Sequence, residues 1–359
     1  MAALDKVFRM LLAKDGSDLH VATGEIPRMR LHGRLVPIEG TPELSAEQVR
    51  DILMEIVSKE LWDEYERTSD IDFAYGLEDI ARFRANYFKD HSGMAAVFRL
   101  IPSEIPPFKD LGMPDAVERF AHFTDGLVLV TGPTGSGKST TIAAILDRIN
   151  STYARHIITI EDPIEFVHTP KKSIITQRQI GTHTESFADA LRAAIRLDPD
   201  VILVGEMRDL ETIHLAITAA EMGTLVLGTL HTNNAIKTID RIIDAFPADQ
   251  QDQTRTMLSE SLAGVVSQIL MRRLDGKGRV PVVEVLIRTS ALANIIREGN
   301  IPMLLSVIQA GKKQGMQSMD DGLMSLAQAR TISLEEAFRR ASDKAPFQKL
   351  LEEAESRKQ

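Results

Sequence analysis

Gly132-Pro-Thr-Gly-Ser-Gly-Lys-Ser139 decides how this chain is read. The stretch fits the pattern G-x-x-x-x-G-K-S/T. It follows the apolar run Leu127-Val-Leu-Val-Thr131 and precedes the helix-like run Thr140-Thr-Ile-Ala-Ala-Ile-Leu-Asp-Arg-Ile149, the context in which the pattern has a mechanism. Gly132, Gly135 and Gly137 let the backbone curl so that successive N–H groups point at one anion. Pro133, Thr134, Ser136 and Thr140 complete the loop. In this pattern Lys138 reaches the β- and γ-phosphates and the Ser139 hydroxyl holds Mg²⁺. The following helix turns its positive end to the same place. Strand, loop and helix together predict a nucleoside triphosphate site.

In parallel α/β sheets ligands sit beyond the carboxyl ends of the strands, so the residues after each apolar run matter. After His156-Ile-Ile-Thr-Ile160 come Glu161, Asp162 and then Glu165. After Val201-Ile-Leu-Val204 come Gly205 and Glu206, and after Thr224-Leu-Val-Leu-Gly-Thr-Leu230 comes His231. A phosphate loop, two acidic sets and a histidine at such ends read as one active site. Asp200 and Glu206 flank the third run, and at ~3.3 Å per residue they stand about 20 Å apart. Only Glu206 is at the phosphate end, so it is the candidate base for an attacking water. The alternative is a surface carboxylate opening the next helix. Glu161, Asp162 and Glu165 are candidates for Mg²⁺, directly or through water, or else serve loop and capping chemistry. His231 is placed to donate to the γ-phosphate. A hydrolase of this kind adds a cation against transition-state charge. Arg82, Arg84 and Arg99 are candidates before the loop, and Arg192, Arg196, Arg208 and Arg241 after it. Alternation puts Arg82 and Arg84 on one strand face.

With 359 residues the chain has room for two or three domains, and 43% hydrophobic residues supply a large core. No apolar stretch approaches the ~20 residues that span a bilayer, and the first residues lack the pattern of a signal peptide. There is no cysteine, which excludes disulfides and thiolate zinc sites and fits a reducing compartment. A net charge of −9 with a single Trp argues against nucleic acid as a partner.

Residues 1–100 read as a small α/β domain. Leu19-His-Val21, Arg28-Met-Arg-Leu31 and Arg34-Leu-Val-Pro-Ile38 look like short strands separated by turns at Gly24 and Gly33. A helix is expected over Glu47–Val57 with Ser45 as N-cap. Ile71–Tyr75, Ala81–Phe88 and Met94–Ile101 alternate like strands. Three prolines in Ile101-Pro-Ser-Glu-Ile-Pro-Pro-Phe108 mark a stiff linker, placed at 101–112. A βαβ core follows over 113–289, and a helical region over 290–359 with a charged tail from Glu352.

These motifs together resemble the pilus-retraction ATPases of the secretion-ATPase superfamily over nearly the whole chain. Gly16-Ser-Asp-Leu-His20 with Pro27, Arg28, Arg30 and Gly33 is similar to the family's N-terminal signature. Arg82-Phe-Arg-Ala-Asn86 and Phe98-Arg-Leu-Ile-Pro102 fit the end of its first domain. Ile160–Glu165 resembles its Asp box, Asp198–Asp209 its Walker B segment and Gly228–Asn233 its His box. Arg241–Pro247 and Gly315–Asp321 are similarly close. The resemblance implies a PAS-like N-terminal domain, a RecA-like ATPase core and a homohexameric ring binding ATP and Mg²⁺ without zinc. It implies Glu206 as catalytic base, with His231, Glu161 and arginines from the N-terminal domain completing the site. It also implies a cytoplasmic protein held peripherally at the inner membrane by the platform protein of the type IV pilus machine.

Two positions depart from the family. A histidine usually stands seven residues before the box histidine, where this chain has Thr224. The family motif A-I-R-N-L-I-R-E, tied there to retraction, reads Ala291-Leu-Ala-Asn-Ile-Ile-Arg-Glu298, so Ala291, Asn294, Arg297 and Glu298 match while Ala293 replaces an arginine. The leading expectation is a retraction motor driving twitching motility. The alternatives are an accessory retraction paralogue and an assembly or type II secretion motor. Relatives of the last kind usually carry a tetracysteine zinc element that this chain lacks. Further afield stand a nucleic-acid translocase and a nucleotide-binding regulator without turnover.

Overall fold

A computed structural model describes residues 2–356 except His32, Glu78, Asp79, Pro102, Ser103, Lys277 and the side chain of Glu355. Parts of the expected linker (Pro102, Ser103) and of the charged tail (357–359) lie outside the described residues. The chain divides into two compact units, Met1–Glu104 with Pro163–Val167, and Ile105–Asp162 with His168–Gln359. Among the described residues no helix is long and apolar enough to cross a membrane.

The first unit runs α1 (Ala3–Ala13), β1 (Gly16–Ala22), β2 (Arg28–Leu31), β3 (Arg34–Pro37), α2 (Ala46–Met54), α3 (Lys59–Thr68), β4 (Asp70–Leu77), β5 (Ala81–Asp90) and β6 (Gly93–Ile101). Its strands form an antiparallel sheet in the order β3-β2-β1-β6-β5-β4. Strand alternation sorts β5 cleanly. Ala81, Phe83, Ala85 and Tyr87 are buried, while Arg82, Arg84 and Asn86 share the half-exposed face. Helix α1, which the sequence reading does not single out, buries Leu4, Phe8 and Leu11. Phe8 stacks on Phe83 with centroids 4.1 Å apart and meets Phe98 edge-on at 5.1 Å. Ser45 caps α2 in a reciprocal box with Gln48, so that helix starts where expected.

The second unit contains α4 (Asp115–Glu118), β7 (Gly126–Thr131), α5 (Lys138–Thr152), β8 (His156–Glu161), β9 (Ile174–Gln179), α6 (Phe187–Ala194), β10 (Val201–Val204) and α7 (Leu210–Glu221). Then come β11 (Leu225–Leu230), α8 (Ala235–Ile243), α9 (Gln251–Ser261), β12 (Leu262–Arg272) and β13 (Arg279–Ile287). The C-terminal helices are α10 (Ser290–Glu298), α11 (Leu304–Ala310), α12 (Met319–Gln328), α13 (Leu334–Arg340) and α14 (Ala345–Ser356). The sheet order is β13-β12-β7-β11-β10-β8-β9. All neighbours are parallel except the edge pair β12–β13. Every residue of β7, β10 and β11 is buried, which is why these strands read as continuous apolar runs. Helices α12 to α14 build a separate small core with β13 around Val282, Leu323, Ile332 and Phe347.

Candidate active site

Strand register sets the site. Leu230 pairs with Thr131, and Val204 pairs with both Gly228 and Ile160, so the carboxyl ends of β7, β11, β10 and β8 lie side by side. The phosphate loop leaves β7 and enters α5, whose N-cap is Gly137 at φ 88°. Gly132, at φ 145°, has no room for a side chain, because a Cβ there would overlap the backbone carbonyl of Gln268. At Gly137 a Cβ would stand 2.8 Å from the Gln268 side-chain nitrogen. Lys138, 9% exposed, folds back into the loop and donates to the carbonyls of Gly132 at 2.8 Å and Pro133 at 3.2 Å. The hydroxyl of Ser136 is buried without a hydrogen-bond partner.

Gln268 is a residue that sequence reasoning missed. It stands in β12 one position beyond Ser267, which pairs with Thr131, so the strand continues alongside the loop. Gln268 is 2% exposed. Its Nε2 donates to the Ser136 carbonyl at 2.6 Å, and its Oε1 accepts from the Thr141 hydroxyl at 2.8 Å. One amide therefore ties the loop to the first turn of α5. Next to it, the hydroxyls of Thr131 and Ser267 are bonded at 2.8 Å. Arg279 of β13 reaches the Gly135 carbonyl at 3.5 Å. None of these contacts has a local sequence signal, because they join distant segments.

At the end of β10, Glu206, Arg208 and His231 form one cluster. Arg208 grips Glu206 with both prongs, Nη2 to Oε2 at 2.7 Å and Nε to Oε1 at 2.6 Å. His231 Nε2 stands 3.3 Å from Glu206 Oε1. The Arg208 hydrogen bonds outweigh partial burial and, with His231, hold the Glu206 carboxyl below the usual carboxylate range. Between the two charged residues, Met207 is buried under Gly228 and its N–H bonds the Thr229 carbonyl at 3.1 Å. The Thr229 hydroxyl donates to the Gly205 carbonyl, so the turn that aims Glu206 is fastened to β11.

At the end of β8, Glu161 Oε1 accepts from the Thr159 hydroxyl at 2.7 Å and from Gln177 Nε2 at 3.3 Å. Asp162 lies near enough to Arg208 to favour its charged form. Glu165 belongs to Pro163–Val167, which is part of the first unit. Among the described residues no three His, Asp or Glu side chains form a preformed cation cage.

Arg82, Arg84 and Arg99 all lie in the first unit. Arg84 forms a bidentate pair with Asp72, Nε to Oδ1 at 3.2 Å and Nη2 to Oδ2 at 2.5 Å. Arg99 bonds Asp18 at 2.9 Å, and the Arg82 side chain has no hydrogen-bond or ion-pair partner among the described residues. In the second unit Arg192 pairs with Asp189 at 2.9 Å and with Glu211. Asp200 is at the opposite edge of the sheet, accepting the His156 N–H at 2.8 Å, next to Asp198 at φ 52°. Thr224 directly precedes β11, so it too is at the amino edge, about 20 Å from His231 along the strand. A side chain at 224 and His231 cannot act on one phosphate within this chain. In α10, Leu292 and Ile296 are buried while Ala291, Asn294, Arg297 and Glu298 are exposed. Arg297 touches the Ser259 hydroxyl at 3.3 Å and Glu260 at 3.9 Å.

The family model described as "Type II/IV secretion system protein" matches residues 1–340. The chain is 51% identical over 317 residues to the "Twitching motility protein" of Neisseria gonorrhoeae, covering 88% of this chain and 84% of the relative. It is 48% identical over 330 residues to the "Type IV pilus retractation ATPase PilT" of Pseudomonas aeruginosa, covering 92% and 95%. The fold is similar to a crystal structure described as the pilus retraction motor PilT with bound ADP, with a TM-score of 0.88, 46% identity and coverage of 96% and 98%. This likeness makes the second unit's sheet and helices a RecA-like ATPase domain, preceded by an N-terminal domain. The chain belongs to the type II/IV secretion system protein family.

Proposed function

We propose that this chain is a motor that hydrolyses ATP to ADP and phosphate and uses the cycle to retract type IV pili. The observation that carries the reading is the meeting of a complete phosphate loop with the Glu206–Arg208–His231 cluster along adjacent parallel strand ends. Its likeness to a twitching motility protein and a pilus-retraction ATPase over most of both chains favours retraction over assembly or secretion.

In this reading the curled loop and Lys138 bind the β- and γ-phosphates. The buried, unpartnered Ser136 hydroxyl and the Lys138 ammonium, which points into the loop and donates to its Gly132 and Pro133 carbonyls, both fit such an anion. Glu206 takes the proton of the attacking water, and Arg208 keeps that carboxylate ionised at neutral pH. His231 and Glu161 contact the γ-phosphate and its water. Ser139, with Glu161, Asp162 and Glu165 directly or through water, would hold Mg²⁺, which would supply charge neutralisation on the phosphate oxygens. Magnesium takes few protein carboxylates, so a preformed cage is not required. Arg82, Arg84 and Arg99 from a neighbouring copy in a homohexameric ring complete the site, and Arg82 is the most available of them. The exposed face of α10 and the inner-membrane platform protein of the pilus machine form the output side.

The direct test is phosphate release by purified protein with and without Mg²⁺. Turnover that vanishes on chelation and in Glu206→Gln, while nucleotide still binds, is expected. Turnover independent of Glu206 would refute the assignment.

A further inference from the structure

Gln177 stands in β9, the edge strand of the second unit's sheet, directly across the ladder from Thr159 of β8. Side chains two apart on a strand share a face, so Thr159, Glu161 and Gln177 meet on one side of the sheet. Glu161 Oε1 accepts from the Thr159 hydroxyl at 2.7 Å and from Gln177 Nε2 at 3.3 Å. The two donors share one oxygen but differ in what they fix. A hydroxyl rotates to follow its acceptor, whereas an amide has one donor side and one acceptor side. Gln177 Oε1 accepts the His168 N–H at 2.8 Å, and a backbone N–H bonds only an acceptor. The amide is therefore set one way round, with its NH₂ turned to Glu161.

The backbone that pins the amide is itself held. Asn150 is completely buried. Its Nδ2 donates to the Thr169 carbonyl at 2.9 Å, and its Oδ1 accepts the N–H of Lys171 at 2.9 Å and of Ser173 at 3.4 Å. Lys171 also pairs with Asp147 at 2.7 Å. Asn150 and Asp147 belong to α5, the helix that the phosphate loop enters and that carries Lys138 and Ser139. A continuous path thus runs from α5 through Asn150, the backbone of 168–173 and the Gln177 amide to the Glu161 carboxylate.

We propose that Gln177 is a positioning residue for Glu161, holding its carboxylate in register with the phosphate-loop helix. Its part in turnover rests on the ATPase reading above, but the link between the two side chains does not. Groups that act on a substrate must be held to within ~0.5 Å by partners whose own rotamers are locked. The His168 N–H locks Gln177 in that way.

Two substitutions at 177 separate positioning of Glu161 from bracing of the backbone. Gln177→Glu keeps an acceptor for the His168 N–H but turns a carboxylate oxygen, not an NH₂, toward Glu161. Gln177→Met keeps the length and loses both contacts. Positioning predicts that both lower kcat about tenfold or more, with Glu at least as damaging as Met, while KM for ATP stays within about twofold because the phosphate loop is untouched. Bracing alone predicts the reverse order, with Glu close to wild type. Thermal unfolding of the full chain without nucleotide or Mg²⁺ reads the link itself. Gln177→Met should lower the midpoint by about 2 °C more in the wild-type background than in Glu161→Ala, where no Glu161 bond remains to be lost. A kcat for Gln177→Glu within about twofold of wild type, or equal midpoint shifts in the two backgrounds, would overturn the proposal. Unequal shifts in a wild-type protein that does not hydrolyse ATP would uphold the link and refute the ATPase reading instead.

Discussion

Replacing Gln268 by Met keeps the length of the side chain and removes both amide atoms that brace the phosphate loop. The Ser136 carbonyl and the Thr141 hydroxyl then lose partners at 2.6 and 2.8 Å in a place without solvent. Each buried polar group left unpaired costs ~1–3 kcal/mol, so the pair is worth about 2–6 kcal/mol. For a unit of this size 1 kcal/mol moves the unfolding midpoint by ~2–4 °C, which places the expected loss at roughly 4–24 °C. Nucleotide affinity should also fall, because the loop must regain its curvature to point its N–H groups at phosphate. If ~1.4 kcal/mol of the cost is met on binding, the ADP dissociation constant rises about tenfold. Thermal unfolding with and without ADP, and direct ADP titration, read both effects. Gln268→Glu sharpens the test. It keeps the acceptor for Thr141 but sets an anion against the Ser136 carbonyl and beside the phosphates, so it should lose more affinity than Met does. A Gln268→Met protein with an unfolding midpoint within about 2 °C of wild type and unchanged ADP affinity would refute the bracing role.

Other outcomes follow from the same geometry. Glu206→Gln should slow turnover by ~10²–10⁴-fold with ATP binding retained, measured by phosphate release and nucleotide titration. Lys138→Ala should abolish nucleotide binding, since it removes the buried ammonium whose loop partners are within 3.2 Å. Arg82→Ala should leave the unfolding midpoint unchanged, as the Arg82 side chain has no hydrogen-bond or ion-pair partner among the described residues, yet lower ATP turnover of the assembled ring. His168 is buried with Nδ1 unpartnered, and burial, outweighing nearby Asp147, pushes its pKa from 6.5 down to about 4. The unfolded chain therefore binds the extra proton first. Stability is full above pH 6.5 and declines toward pH 4, by about 3 kcal/mol in all, and His168→Leu should flatten that slope in denaturant titrations.

Much of the second unit was legible because parallel strands buried on both faces read as unbroken apolar runs. Val201–Val204 is bounded by Asp200 and Gly205, and its ends separate a turn carboxylate from Glu206. Convergence of the strand ends then follows from parallel topology alone. What was not legible is non-local. Gln268 meets its partners across 132 and 127 residues, and no periodicity in β12 distinguishes it from a polar residue facing solvent. Glu284 looks like any charge in an edge strand until the Ala235 N–H at the start of α8 meets it. Thr224 and His231 are close in sequence and at opposite edges of the sheet, because an extended strand gains ~3.3 Å per residue.

The central claim is that ATP hydrolysis at Glu206 powers removal of pili rather than their assembly. It is tested most directly by counting surface pili and scoring surface motility in cells whose sole copy carries Glu206→Gln. Abundant pili with motility lost, and both restored by the wild-type gene, is the predicted result. Cells without pili, or cells with unchanged pili and motility, would contradict it.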